Sequence, residues 1–256
     1  MKVVVLAGGL GTRLAEETEV KPKPMVDIGG HPILWHILKG FAHHDLREFV
    51  VALGYKGEVI KRWLVDHVAL AGSMTVDLRR DTIERHAREL DDWLVHLAET
   101  GQATNTGGRL RRLRPLLKDE RFIVTYGDGV SDVDVKALVA FHKEHGRLAT
   151  ITAVRPPARY GGLFFDGPLV SEFTEKPQVG EGWINGGYMV LEPAVLDLVD
   201  GDATSLEAEV LERLAKDRQL AAYRHPGFWQ CMDTLRDKRF LDGLWSNDRA
   251  PWKVWS

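Results

Sequence analysis

Residues 2 to 6, Lys-Val-Val-Val-Leu, run directly into Leu6-Ala7-Gly8-Gly9-Leu10-Gly11-Thr12-Arg13-Leu14, and this junction restricts the possible folds more than any other feature of the chain. A short β-branched apolar run makes a buried strand, which must end where the glycines begin. Gly8, Gly9 and Gly11 let backbone N–H groups approach a polyanion without Cβ clashes, while Arg13 and Lys23 add fixed positive charge. The junction therefore reads as a phosphate cradle. It is not a Walker-type loop, because no Lys-Ser or Lys-Thr follows the glycines. Nor is it a dinucleotide fingerprint, because Leu14 stands where the third glycine belongs. The nearest acidic residue to the ribose position of such a fingerprint is Asp27, and Pro22 and Pro24 before it argue against a second strand there.

Further strand-like runs occur at Phe49 to Leu53, Phe122 to Tyr126, Ala149 to Val154 and Gly187 to Leu191. Helical spacing of apolar residues marks Ile33 to Phe41, Lys56 to Val65, Val135 to His142 and Glu207 to Leu214, the last starting near Ser205. Strands interleaved with helices predict a mostly parallel sheet covered on both faces, with ligands at the carboxyl ends of its strands. A chain of 256 residues is long enough for one large α/β domain or for a core domain with a small appendage. Residues 80 to 108 break the alternation, being charged and then rich in turn formers, and read as an irregular insertion. The tail from Ala250, with two tryptophans, is too apolar to be solvated and is expected to pack on the body or a neighbour.

A net charge of -3 excludes broad nucleic-acid binding. A single cysteine, Cys231, excludes an internal disulfide and a multi-cysteine zinc site. No apolar run approaches the roughly 18 residues that span a bilayer, and the N-terminus begins with a core strand, so the expectation is a cytoplasmic protein without membrane attachment.

The glycine run, Thr12-Arg13 and Lys21-Pro22-Lys23-Pro24 together resemble the N-terminal signature of the sugar-phosphate nucleotidyltransferases. Within that family, Pro24 to His36, Gly54-Tyr55-Lys56-Gly57 and Pro226 to Lys238 are similar to the glucose-1-phosphate cytidylyltransferases, and the similarity runs from Met1 to Trp255. The resemblance implies a Rossmann-like α/β fold, a mixed, mostly parallel sheet flanked by helices, of the nucleotide-diphospho-sugar transferase type. It implies one nucleotidyltransferase domain over residues 1 to 256, with the insertion at about 80–108 and a sugar-binding part at about 150–235. It also implies CTP and α-D-glucose 1-phosphate as partners, CDP-glucose and pyrophosphate as products, Mg²⁺ as cofactor and assembly into a homo-oligomer. In the family the product feeds deoxysugar synthesis for surface polysaccharides.

Such a reaction brings two polyanions together for in-line displacement at the α-phosphorus, which positioning and charge stabilisation accelerate. The planar fork of Arg13 suits the leaving pyrophosphate, and Lys23 adds a point charge to the triphosphate. The nucleotide is expected against Leu6, Ala7, Gly8, Gly9, Gly11, Thr12, Gly127 and Asp128. The resemblance further implies that Thr104 and Arg109, with the backbone near Ala7 to Gly9, read the cytosine. It makes Asp128 and Asp233 the Mg²⁺ pair, although taken alone each also suits a helix cap, Asp233 before a helix at Leu235 to Leu244. Glu175-Lys176-Pro177, preceded by the alternating Val170 to Thr174, matches the family's sugar-phosphate motif. There Lys176 would neutralise the attacking phosphate, Glu175 and Asn185 would hold sugar hydroxyls, and Tyr126 and Gly186 would line the site, with Asn185-Gly186-Gly187 as a turn leaving room for the ring.

Two other readings compete: dTTP, UTP or another sugar 1-phosphate as substrate, and a catalytically silent nucleotide-sugar sensor or assembly subunit. An oxidoreductase fails on the fingerprint. His142 and His145 have zinc-like spacing without a third ligand and read as surface residues; the pair His43-His44 reads the same way. Trp183 and Trp229 are candidate sugar-stacking planes among eight tryptophans, and Cys231 lacks the partners of a thiol nucleophile.

Overall fold

The side-chain alternation of the first strand dictates a sheet buried on both faces. In β1 (Val3–Leu6), Val3 and Val5 enter one apolar cluster and Val4 and Leu6 another. The computed structural model describes residues 1–9, 11, 14–86, 91–156, 162–166, 168–174 and 182–255. Thr12, Arg13, Glu175 and Lys176 lie outside them.

After β1 come α1 (Ile33–His43), β2 (Glu48–Leu53), α2 (Gly57–Ala69), β3 (Leu94–Glu99) and α3 (Thr106–Arg112). The chain continues through β4 (Phe122–Tyr126), α4 (Val135–His145), β5 (Ala149–Val154), β6 (Ile184–Leu191), β7 (Leu220–Arg224) and α5 (Leu235–Ser246). The strands make a seven-stranded sheet in the order β7-β5-β6-β4-β1-β2-β3. Only β6 among them is antiparallel to its neighbours, so the carboxyl ends of β1 and β4 and the starting end of β6 share one edge. Leu34 and Leu38 of α1, Ile60 of α2 and Leu138 of α4 fill one face; Leu110 of α3 and Leu196, Val210 and Leu214 fill the other.

Several expectations are corrected. Leu94–Glu99, inside the stretch read as irregular, is the edge strand β3, paired in parallel with β2. Its Leu-Val-His-Leu-Ala-Glu sequence is only half-buried and lacks the apolar run of the inner strands. Asp27–Ile28 does form a two-residue strand, with His31–Pro32, but outside the central sheet, where the prolines do not interrupt a ladder. Asn185-Gly186-Gly187 is not a free turn. It lies within β6, where pairing slips between Ile151↔Met189 and Ala153↔Asn185, and Gly187 takes φ 79° against the Tyr126 ring. The segment read as a helix from Ser205 begins as a wide π turn, Leu206–Leu211, before the helical Glu212–Lys216, and the Ser205 side chain caps it.

The tail packs on the body. Trp252 is fully buried and its indole donates to His36 Nδ1 at 3.3 Å, while His36 Nε2 donates to the Ile28 carbonyl at 2.9 Å. Burial holds that imidazole well below its ordinary value, at a pKa of about 4. No helix among the described residues is long and apolar enough to cross a membrane.

Candidate active site

Backbone from β1 and β2 fixes the glycine loop: Ala7 N–H donates to the Ala52 carbonyl, Tyr55 N–H to Gly8 and Gly127 N–H to Leu6. Of the residues expected to hold nucleotide, Leu6, Ala7, Gly8, Gly9, Gly11, Lys23, Thr104, Arg109, Gly127 and Asp128 line one crevice above these strand ends. Gly11 turns the loop at φ 65°. Thr104 is buried in the wall, and its hydroxyl has no partner among the described residues. Asn105 and Thr106, which the sequence marks only as part of a turn-rich stretch, complete that wall.

Arg109 is 4% exposed, and its guanidinium braces the crevice from behind. Nη1 donates to the Leu53 carbonyl at 3.1 Å, the Thr100 hydroxyl at 2.7 Å and the Gly101 carbonyl at 2.9 Å; Nη2 donates to Gly8 at 3.0 Å and Gln102 at 3.4 Å. A Cβ on Gly8 would overlap that guanidinium, and one on Gly54 would sit 2.6 Å from Nη1. The glycines therefore admit the arginine as well as any ligand.

A second pocket adjoins the first and shares Tyr126 and Asp128 with it; Asn185, Gly186, Trp229, Cys231 and Asp233 also line it. At the junction, Lys23 Nζ donates to Asp128 Oδ2 at 2.6 Å and to Asp233 Oδ1 at 2.5 Å. Burial works against the charge on Lys23, but the two carboxylates outweigh it and raise its pKa. Neither aspartate caps a helix. Thr234 caps α5 in a reciprocal pair with Asp237, and Asp134 caps α4, while Asp128 and Asp233 both face the ammonium. Two carboxylates converging on one cation from remote elements are hard oxygen donors. They fit an ion such as Mg²⁺, whose remaining positions go to substrate oxygens and water. No group of three or more metal-type ligands occurs among the described residues.

The other candidates fall to structural roles. His142 is buried, not a surface residue as expected; it and His145 both meet the Thr150 hydroxyl, and His142 Nε2 also contacts Glu192 at 3.1 Å. Trp229 turns its indole N–H to the Gly186 carbonyl at 2.7 Å, fixing the bulge in β6. The Trp183 ring lies under the guanidinium groups of Arg155 and Arg224, at 4.8 and 5.7 Å. Burial, with Asp233 nearby, pushes the Cys231 thiol up to about 12, which removes it as a nucleophile near neutral pH.

The adjoining pockets, with a cationic knot between them, lie at the carboxyl edge of a mostly parallel sheet, where open α/β folds bind their ligands. A family model for nucleotidyl transferases matches residues 2–237, and the chain belongs to that family. Over 256 residues it is 51% identical to a glucose-1-phosphate cytidylyltransferase of Salmonella typhi, with 100% of both chains covered. It is 39% identical to a probable glucose-1-phosphate cytidylyltransferase of Bacillus subtilis, again over 100% of both. Among solved structures it is similar to HddC from Yersinia pseudotuberculosis, with TM-score 0.70 and 25% identity over 95% of this chain and 99% of that one.

Proposed function

We propose that the chain transfers a cytidylyl group from CTP to α-D-glucose 1-phosphate. A phosphate oxygen of the sugar phosphate attacks the α-phosphorus of CTP, the bond from that phosphorus to the β-phosphate bridging oxygen breaks, and pyrophosphate leaves with the electron pair. The observation that carries the reaction type is the Lys23–Asp128–Asp233 contact at the meeting of the two pockets. The choice of substrates rests on the full-length relatives of the same activity.

On this reading the glycine loop receives the triphosphate on backbone N–H groups and Lys23 lends it positive charge. Thr104 offers its hydroxyl to the base, and Arg109 holds the carbonyls that shape the base side. Asn185 and Gly186 take the sugar, together with Glu175 and Lys176; Arg13 meets the leaving pyrophosphate. Asp128 and Asp233 are the residues that would hold Mg²⁺, which when bound neutralises phosphate charge. We assign residues 1–256 to one domain, with the 80–108 stretch beside the base and 150–235 carrying the sugar part. The reaction belongs in the cytoplasm, where nucleoside triphosphates are made.

Pyrophosphate release measured over a panel of nucleotides and sugar 1-phosphates is expected to be fastest with CTP and glucose 1-phosphate, to stop on chelation and to return with Mg²⁺. Equal or faster release with dTTP or UTP would remove the cytidine assignment.

We further assign a homo-oligomer. Val65 and Leu70 at the end of α2, and Val76, Leu78 and Ile83 on the hairpin Met74–Asp77/Thr82–Arg85, are exposed apolar side chains close in sequence, with Val76 directly opposite Ile83. A lone hairpin is marginal in water. Its Arg79, Arg80 and Arg85 balance Asp77, Asp81 and Glu84, so a second copy matches it in charge. Light scattering should give a multiple of the chain mass, reduced by Leu78→Glu with Ile83→Glu; a wild-type monomer would refute the assignment.

A further inference from the structure

Glu207 faces the boundary between the two pockets from a segment that belongs to neither glycine loop nor sugar motif. Its Oε1 accepts from the Tyr126 hydroxyl at 2.6 Å. Its Oε2 accepts from the Thr106 hydroxyl at 2.6 Å and from Ser205 Oγ at 3.2 Å. Thr106 is in the wall of the nucleotide crevice, whereas Tyr126 lines both pockets. One carboxylate thus ties the wall of the first pocket to the ring that lines both.

The direction of each hydrogen bond is fixed. The Leu206 N–H donates to Thr106 Oγ1 at 2.9 Å, and the threonine's own proton has Glu207 Oε2 at 2.6 Å as a nearer acceptor than Asn105 Oδ1 at 3.4 Å. Asn185 Oδ1 accepts from the Gly187 N–H at 2.9 Å, which leaves Nδ2 to donate to the Tyr126 oxygen at 3.5 Å, and the phenol proton again points to Glu207. The chain of donors runs from the sugar pocket through Asn185 and Tyr126, and from the nucleotide wall through Thr106, into a single acceptor. The π turn at Leu206–Leu211 places the residue, as the Ser205 cap and the Ser205 N–H bond to Glu209 Oε1 at 2.7 Å pin its start.

We propose that Glu207 is a positioning residue that couples nucleotide binding to sugar-phosphate binding, by holding Thr106 and Tyr126 to one carboxylate. It touches no reacting atom. The inference rests on the functional reading above and adds a residue and a role to it. A ligand that settles against the Thr106 wall sets the Tyr126 ring and Asn185 amide for the second ligand, and the reverse follows by linkage.

The test is calorimetric titration of glucose 1-phosphate, in Mg²⁺, with and without α,β-methylene-CTP as a non-cleavable nucleotide. In the wild type the nucleotide is expected to tighten sugar-phosphate binding by about tenfold, within the usual range for coupled sites. Glu207→Gln keeps the shape but offers one acceptor oxygen where three hydroxyl donors converge on two, and should bring the ratio close to one. Tyr126→Phe keeps the ring, removes one donor and should do the same, and the double variant should be no worse than either single. Tyr126→Phe also serves if Glu207→Gln fails to fold. Coupling preserved in either folded variant, or absent from the wild type, overturns the proposal. A wild type that binds neither ligand overturns the functional reading itself.

Discussion

Lys23→Ala is expected to lower turnover by about 10²- to 10³-fold, the usual cost of losing one preorganised donor to a developing phosphate charge. It should also cost stability. Lys23 has a side-chain exposure of 10% and Asp233 of 11%, so truncation leaves two carboxylates facing each other without their cation. Breaking a buried pair from one side costs about 3 to 5 kcal/mol, and the lower figure applies because Asp128 keeps more contact with water. The same electrostatics set a second readout. On the proposed assignment, a divalent ion in the wild type competes with the ammonium for Asp128 and Asp233; in Lys23→Ala it does not. Mg²⁺ alone should therefore raise the melting temperature of the variant more than that of the wild type. Wild-type turnover in the variant would exclude Lys23 from the reaction, and an equal Mg²⁺ shift in the two proteins would exclude the aspartate pair as its site.

Arg109→Ala should be nearly as damaging for a different reason. Its guanidinium satisfies four carbonyls and one hydroxyl behind the glycine loop, at Gly8, Leu53, Thr100, Gly101 and Gln102. Some of these acceptors keep another partner, since Gly8 also accepts from Tyr55 N–H and Leu53 from Thr100. A loss of about 2 to 4 kcal/mol follows from charge-assisted bonds forfeited in a buried setting, with little compensation from water. Lys is expected to fail as a replacement, because a single ammonium cannot span the acceptors that the planar fork reaches. With the loop unbraced, KM for the nucleotide should rise more than tenfold in whatever fraction stays folded, while KM for the sugar phosphate moves less. Equal changes in the two constants would show that the arginine does not serve the nucleotide side in particular.

The β1–glycine junction was legible because strand propensity, strand end and loop chemistry are contiguous in the chain. The inner strands were legible for the same reason: burial on both faces demands unbroken apolar runs such as Phe122 to Val124. The edge strand β3 escaped, since a strand with one partner and a half-exposed face can carry His96 and Glu99 without penalty. Lys23, Asp128 and Asp233 lie 105 and 210 positions apart. No local pattern joins them, and only the family likeness placed them together. Arg109 was expected to read the base, and its bonds to backbone carbonyls depend on β2 and the glycine loop meeting in space. Glu207 gave even less warning, because an acidic residue in the first turn after a serine cap reads as ordinary helix chemistry.

The reversed direction of β6 has a consequence for how such a catalyst can diversify. Its starting end, fed by the hairpin Gly162–Asp166/Leu169–Thr174, stands where the neighbouring strands finish. A surface hairpin that delivers the chain to that end can be lengthened or resequenced without disturbing a buried layer. The opposite flank is pinned by a buried guanidinium that braces the loops beyond the strand ends. On the proposed assignment of the two pockets, altering the acceptor sugar is thus an exercise in exchanging a peripheral loop, whereas altering the base requires rebuilding the interior.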